Sequence, residues 1–498
     1  MPEESPGENT AVIAPEPALV ELTSTAASGP GFLCDCTKNM RTACNAEPFY
    51  GEHEGKRYCV LHYPGKEKDK EFQIALRNKI EAGDFNFCGV WFPRAVNFHS
   101  FEFGTPVDFR HATFSSSANF ISATFKAEAI FSSATFSNWA SFSSATFEAE
   151  TNFSAATFND KVHFHSTIFS GPAYFISAIF KAKADFRSAT FKVKTYFSSS
   201  VFRDLADFHY VTFDAKTSFN SVAFDGEADF TSATSNSEMT FILAAFNAGA
   251  KFRTATLKDR VDFSGILSFR ERAALDLRFT RIEKPERLSF HTVALRPHWF
   301  VDVDPRKFVF TDAQWNWKTF RITGEIQSLK ERSIESPHHL LAIACRQLAE
   351  NAEANNRYEE ASRFRYLAMD AMRVHKWQGW SFWKTDWLHM LYWAISGYGE
   401  RFRRAFVWLL GVWVVFAVLF TQVGFTKSED KSAAAPDTVG QPLPLKRAFT
   451  YSLGVMSLQR PEPKPVTGTA QTLVTLETIL GPLQAALLAL AIRRKFMR

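Results

Sequence analysis

Residues 184–197 read ADFRSATFKVKTYF, with phenylalanine at Phe186, Phe191 and Phe197. The steps are five and then six residues, and the same beat continues in both directions. It runs back through Phe180, Phe169, Phe158, Phe147, Phe136, Phe125 and Phe114 and their neighbours to Phe87. It runs on through Phe202 and Phe213 to Phe230, and only Ser235 and Leu257 interrupt it before Phe263. Two residues before the beat the side chain is usually small or β-branched, as at Ala118, Ala134, Ala184, Val211 and Ala228. A helix needs apolar positions at spacings of three and four, and a simple strand needs strict alternation; neither fits. An eleven-residue unit this strict predicts a solenoid that turns a corner every five or six residues, with one large and one small side chain inward on each side. Burying a phenylalanine contributes about 1.5–3 kcal/mol. The ladder Phe114, Phe125, Phe136, Phe147, Phe158, Phe169, Phe180, Phe191, Phe202 and Phe213 is therefore read as structural core.

The pattern resembles the pentapeptide-repeat proteins, and within them the Phe-centred variant. That resemblance implies a mainly β fold, a right-handed quadrilateral β-helix over residues 85–265. Four sides would take 22 residues, giving about eight coils and, with strands ~4.8 Å apart, a rod of about 35–40 Å. After Phe263 the beat loosens, then returns at a plain five with Phe290, Leu295, Phe300, a miss at Pro305, Phe310, Trp315 and Phe320, read as degenerate closing coils over 266–322. The resemblance speaks for fold and is almost silent on function. Family members that imitate DNA carry a strongly acidic surface, whereas residues 85–264 hold 16 acidic and 15 basic side chains. The field for DNA mimicry is missing, and so is a basic face for nucleic acid, so no nucleic-acid partner is expected.

A chain of 498 residues allows several domains, and 52 Phe and 12 Trp make this one unusually aromatic for a net charge of +5. Residues 1–31 are rich in Pro, Ser, Thr, Glu and Ala, with no basic start and no sustained apolar run. They read as a disordered tail rather than a secretory signal. The N-terminal body is then expected in the cytoplasm, where cysteines stay reduced. Four of six cysteines fall in residues 32–65, followed by a histidine in Cys59-x-x-His62. Thiolates with an imidazole in a reducing compartment suit tetrahedral Zn²⁺. A closed site from Cys36, Cys44, Cys59 and His62 is expected, with Cys34 as an alternative ligand, because Cys34-x-Cys36 is tighter than the usual knuckle. Between these groups PFYGEHEGKRY reads as two short strands around a turn. Cys88 and Cys345 read as small core residues. In residues 66–84, Phe72, Ala75, Leu76, Lys79 and Ile80 follow helical spacing and Gly83 stops the run, predicting a helix that caps the exposed first coil.

Past the solenoid, residues 323–336 read as a polar linker. Residues 337–376 have apolar spacing of three and four on both sides of Asn355 and Asn356, an antiparallel helical hairpin. Its RYEEASRFRYLAM stretch resembles one tetratricopeptide-type helix pair. In residues 377–403, Trp377, Trp380, Trp383 and Trp387 recur at helical spacing before Tyr392 and Trp393, a juxtamembrane aromatic helix. A first span is expected over 404–425, where 21 residues from Ala405 on carry no charge. A loop follows over 426–469, and a second span over 470–492. Arg401, Arg403 and Arg404 precede the first span, and Arg493, Arg494, Lys495 and Arg498 follow the second, in the basic tail 493–498. The positive-inside rule then predicts a two-span protein of the cell membrane with both termini cytoplasmic and the lipid bilayer as its first partner.

Within the loop, residues 446–458 read as a short re-entrant helix. Span, short helix, span resembles the two-helix potassium-channel pore. A potassium filter needs Thr-x-Gly-Tyr-Gly carbonyl rings. The nearest string, Ser452-Leu453-Gly454-Val455-Met456, lacks the second glycine and the aromatic, and Gly397-Tyr398-Gly399 lies before the first span. Glu477 is an ionisable group inside a span, which usually faces a partner or a water-filled cavity. Gly481-Pro482 follows one turn later and is expected to kink the helix. Glu477, Gly481, Pro482, Ser452 and Gly454 are thus the candidates for a pore or gate. No nucleophile–base pair, phosphate loop or carboxylate constellation is legible, and His163 and His165 beside Phe164 read as structural or surface residues. The expected function is non-enzymatic: a membrane-anchored, bacterial-type scaffold presenting a cytoplasmic β-helix to a protein partner. The alternative is an oligomeric ion-channel-like protein with the β-helix as cytoplasmic regulatory domain, which requires self-association.

Overall fold

In the structure, a computed structural model, the five- and six-residue steps are two kinds of corner. Residues 33–36, 43–44, 47–266, 268–269, 274–315, 322–377, 387–426 and 440–496 are described; the tail read at 1–31 lies outside them. The five-residue step from Phe120 to Phe125 opens with Ala123 N–H donating to the Phe120 carbonyl at 3.1 Å, while Ser122 sits at φ +57°. That is a type II turn, which requires a left-handed residue at its third position. The same conformation recurs every eleven residues at Ser133, Ser144, Ala155, Ser166, Ser177 and Ser188. The six-residue step from Phe125 to Phe131 contains no left-handed residue. Serine at φ > 0 is strained, but the Ser122 N–H donates to the Ser143 carbonyl of the next coil at 2.9 Å, so the ladder offsets the cost.

Two-residue strands lie between corners, and each pairs in parallel with the residue 22 positions on, as Thr113 with Thr135 and Thr135 with Thr157. The result is four sheets of nine, nine, nine and ten strands. Rings stack face to face along a sheet: Phe147–Phe169 at 5.0 Å and 3°, Phe169–Phe191 at 4.7 Å and 1°. Across the section they meet edge-on, as Phe164–Phe175 at 5.5 Å and 86°. Where Ser235 replaces a ring, it is buried and its hydroxyl donates to the Ser237 carbonyl at 2.9 Å.

The stretch read as degenerate closing coils continues the same sheets and adds to the eight or so regular coils, so the solenoid has about ten turns. Ala250 pairs with Leu275, Val261 with Leu288 and Ser289 with Val309. The coil therefore lengthens before it shortens to four plain steps of five. At the other end a hairpin of β1 (Phe49–His53) and β2 (Lys56–Cys59) precedes helix α1 (Asp69–Glu81). α1 buries Phe72, Ala75, Leu76 and Lys79, setting Phe72 edge-on to Phe92 of the first coil at 5.6 Å.

The chain divides into two units, Met1–Thr319 and Phe320–Arg498. The second opens with a correction: the supposed linker contains helix α2 (Ile322–Glu331), which buries Ile322, Glu325, Ile326 and Leu329. Its apolar residues have three- and four-residue spacing, hidden among polar neighbours. Helices α3 (Pro337–Ala354) and α4 (Tyr358–Trp377) form the hairpin. The stretch 377–403 is not one helix. Residues 378–386 and the side chains of Trp377, Trp380, Trp383 and Trp387 lie outside the description. Helix α5 (Trp387–Ser396) stops at three consecutive left-handed residues, Gly397, Tyr398 and Gly399, before α6 (Phe402–Phe420) begins. Helix α7 (Leu445–Met456) and helix α8 (Gly468–Phe496) follow, and α8 runs through Pro482 as one element.

α6 and α8 are long and apolar enough to cross a membrane, and only 17% of each apolar window is buried. A core helix of a water-soluble protein would be mostly covered. Phe416, Phe420, Phe425, Leu443, Tyr451, Val455 and Ala470 pack α6, α7 and α8 together at one end. At the other end Gln484 Nε2–H donates to the Ala405 carbonyl at 2.7 Å, so the two long helices are antiparallel.

Candidate metal centre and buried polar cluster

The hairpin positions the first site. Arg57 N–H donates to Asp35 Oδ2 and Asp35 N–H to the Arg57 carbonyl, each at 2.7 Å, laying residues 34–36 along β2. Cys59 ends that strand, and its carbonyl accepts N–H bonds from His62 at 3.1 Å and Tyr63 at 3.0 Å, a turn that folds the imidazole back over the thiol. The donor atoms of Cys34, Cys44, Cys59 and His62 all lie within 4.8 Å of one another, and all four residues are buried. Cys34, the alternative ligand from the sequence, is in this group. Cys36 stands beside it, its Sγ 3.7 Å from Cys44 Sγ.

The histidine is oriented as a ligand. Its Nε2 is 3.0 Å from the Cys88 carbonyl oxygen, which only accepts, so Nε2 carries the hydrogen. In the neutral ring Nδ1 then directs its lone pair toward Cys59 Sγ at 3.2 Å and Cys44 Sγ at 3.4 Å. A carbonyl that fixes the tautomer of a ligating imidazole is a regular outer partner of metal sites. Cys59 N–H also donates to Cys34 Sγ at 3.4 Å.

Electrostatically the thiols cannot all ionise together. Hydrogen bonds from Cys36, Cys44 and Cys59 hold Cys34 well below the usual thiol range. Cys36 is pushed up to about 12, chiefly by its hydrogen bond to Cys34. One thiolate thus shares its neighbours' S–H protons, which a bound cation would displace. Beside the cluster Lys68 is fully buried, donates to the Leu61 carbonyl at 2.9 Å and lies 4.6 Å from the Phe72 ring. Burial lowers it to about 7 against the pull of Cys59 and Cys34.

In the second unit the pore candidates separate into two groups. Ser452 and Gly454 lie inside α7, and the carbonyls of Leu453 and Gly454 accept N–H bonds from Ser457 and Gln459 at 3.1 and 2.9 Å. Carbonyls used within and at the end of a helix cannot line a filter. Gly397-Tyr398-Gly399 is the turn between two helices, with Tyr398 buried. Glu477 and Ser452, by contrast, are brought together. Both are fully buried, the Ser452 hydroxyl bonds Glu477 Oε1, and it also lies 3.3 Å from the Trp413 carbonyl. Glu477 Oε2 has no hydrogen-bond partner among the described residues. Gly481 marks close approach: a Cβ there would lie 2.8 Å from Met456 Cγ and 3.1 Å from Met456 Cα. Gln484 belongs to the same line of buried polar groups and was not singled out from sequence. Its signal was an amide inside an apolar run.

A family model described as Pentapeptide repeats (9 copies) matches residues 98–146, within the stacked coils. No curated protein and no solved structure matches the chain.

Proposed function

We propose that the chain is a non-enzymatic, membrane-anchored scaffold whose β-helix is presented in the cytoplasm to a protein partner. The observation that carries this reading is one chain holding both a long solenoid and two antiparallel helices with open apolar faces. The inward positions of the solenoid are occupied by stacked phenylalanine, which leaves recognition to the outward Ser, Thr and charged ladders. Basic residues before α6 and at the end of α8 favour cytoplasmic termini. The test is alkaline extraction of membranes carrying the full chain, followed by protease digestion of intact vesicles. Retention in the bilayer with digestion of residues 85–315 only from the cytoplasmic side is expected. Release by alkali overturns the anchor.

Cys34, Cys44, Cys59 and His62 are assigned a structural Zn²⁺, because three sulfurs and one nitrogen in a closed, buried set fit a tetrahedral ion. Bound, the ion would neutralise the thiolates and hold the hairpin to the residues before the first coil. Elemental analysis of the purified chain should find one zinc per chain, lost in Cys59→Ala.

The channel-like reading retains one specific support: α7 packs against both long helices as a re-entrant helix would. Ion flux from liposomes holding the full chain, compared with Glu477→Gln, tests it. Flux altered by the substitution favours a pore, whereas tight liposomes with inserted protein leave the anchor.

A further inference from the structure

We propose that Arg401, Arg403, Arg404 and Arg493 form a site for the phosphate headgroup of an anionic phospholipid. This rests on the reading that α6 and α8 cross a bilayer. α6 starts with three arginines in four residues and no acid in its first turn. Antiparallel packing brings Arg493, near the end of α8, to the same end of the pair.

The cluster is charged and, among the described residues, lacks a counterion. The Arg401 guanidinium carbon lies 4.2 Å from the Tyr366 ring, and that of Arg404 lies 5.2 Å from the Trp393 ring. Arg404 also donates to the Trp393 carbonyl at 3.3 Å. Each guanidinium carbon lies over a ring, which leaves N–H groups for an anion. The neighbouring carboxylates are engaged elsewhere, Asp370 with Arg373 at 2.7 Å and Glu400 with the Ser362 hydroxyl. Among the described residues none of the four arginines makes an ion pair with a carboxylate.

A second feature selects a lipid over free phosphate. Arg403 is exposed, and along its side of α6 follow Phe406, Val407, Leu410 and Val414, with 52%, 67%, 46% and 36% of their surface open. The Arg403 guanidinium above an open apolar strip matches a phosphate above acyl chains. Inorganic phosphate would use only the upper half. Basic clusters at the ends of spans gain from anionic headgroups in this way.

The test is lipid retention by the full chain reconstituted in phosphatidylcholine vesicles with about one part in five phosphatidylglycerol, then extracted in mild detergent and its bound lipid quantified. Phosphatidylglycerol should be enriched over phosphatidylcholine. Arg403→Gln should cut the enrichment about fivefold, and the triple variant Arg401→Gln, Arg403→Gln, Arg404→Gln should abolish it. Among the described residues Arg403 contacts no ring, so its single variant reports binding even where the triple variant misfolds. Lys446→Gln with Arg447→Gln should leave the enrichment intact. Equal retention of both lipids by an inserted wild-type chain, an unaffected Arg403→Gln, or displacement by inorganic phosphate overturns the site. A chain that never enters the vesicles overturns the membrane reading and this one together.

Discussion

His62 donates its Nε2–H to the Cys88 carbonyl oxygen across 3.0 Å, tying the cysteine cluster to the first coil of the β-helix. A second tie lies alongside, Trp91 N–H donating to the Leu61 carbonyl at 3.0 Å. Removing the metal should therefore loosen the first coil selectively. Hydrogen exchange after treatment with a strong chelator is expected to rise at Trp91 and stay unchanged at Phe186, whose N–H bonds the Asp207 carbonyl deep in the stack. Equal change at both positions would count against a local clamp.

The left-handed corners predict an unusual substitution pattern. Ser144 sits at φ +57°, where a β-branched side chain is strongly disfavoured and glycine is free. Ser144→Val should destabilise the solenoid by about 1–2 kcal/mol, while Ser144→Gly should be close to neutral. The thermal midpoint of the detergent-solubilised chain reads both; a Val variant as stable as wild type would rule out the turn.

One ladder should respond to acid. Asp185 is fully buried among His163, Lys183, Arg187 and Asp207. Burial alone would raise its carboxyl, but hydrogen bonds from His163 and Arg187 outweigh this and hold it well below the usual carboxylate value of 3.8. Its folded value is depressed, so the stabilisation is complete above that unfolded value and is lost as pH falls below it. Asp185→Asn should lower the midpoint at neutral pH, with a deficit that narrows below about pH 4. A deficit independent of pH would assign the effect to packing instead.

Where α8 meets α7, Gly481 has no room for a side chain against Met456. Gly481→Val is expected to cost about 1–3 kcal/mol by forcing the helices apart, with Gly481→Ala milder. Heat resistance of the solubilised chain, compared with Gly411→Ala where a Cβ meets nothing within 4 Å, checks this. Equal behaviour of Gly411 and Gly481 variants would remove the close contact.

A filter-like string lies outside the helices that resemble a potassium pore. Gly397-Tyr398-Gly399 has filter-like composition, yet its three positive φ values make a turn that buries Tyr398 between helices. Ser452 and Gly454 lie in helix α7, within the stretch read as a short re-entrant helix. Ser452 acquires its partner only because Glu477, 25 residues away, packs against it.

The solenoid and the two long apolar helices were determined by the sequence alone, because both are written in contiguous residues. A ring every five or six positions and an uncharged run of 21 need no knowledge of distant contacts. Tertiary structure decided the rest. Whether Cys34 or Cys36 meets Cys44, Cys59 and His62 depends on how Asp35 pairs with Arg57 across the hairpin. Whether residues 322–331 are linker or helix depends on a surface for Ile326 and Leu329 to bury against. The serine corners are decided there too, since the strain at Ser122 is tolerable only when its N–H finds the Ser143 carbonyl one coil away. Periodicity records which side chains turn inward; partners far apart in the chain are chosen by the packing that brings them together.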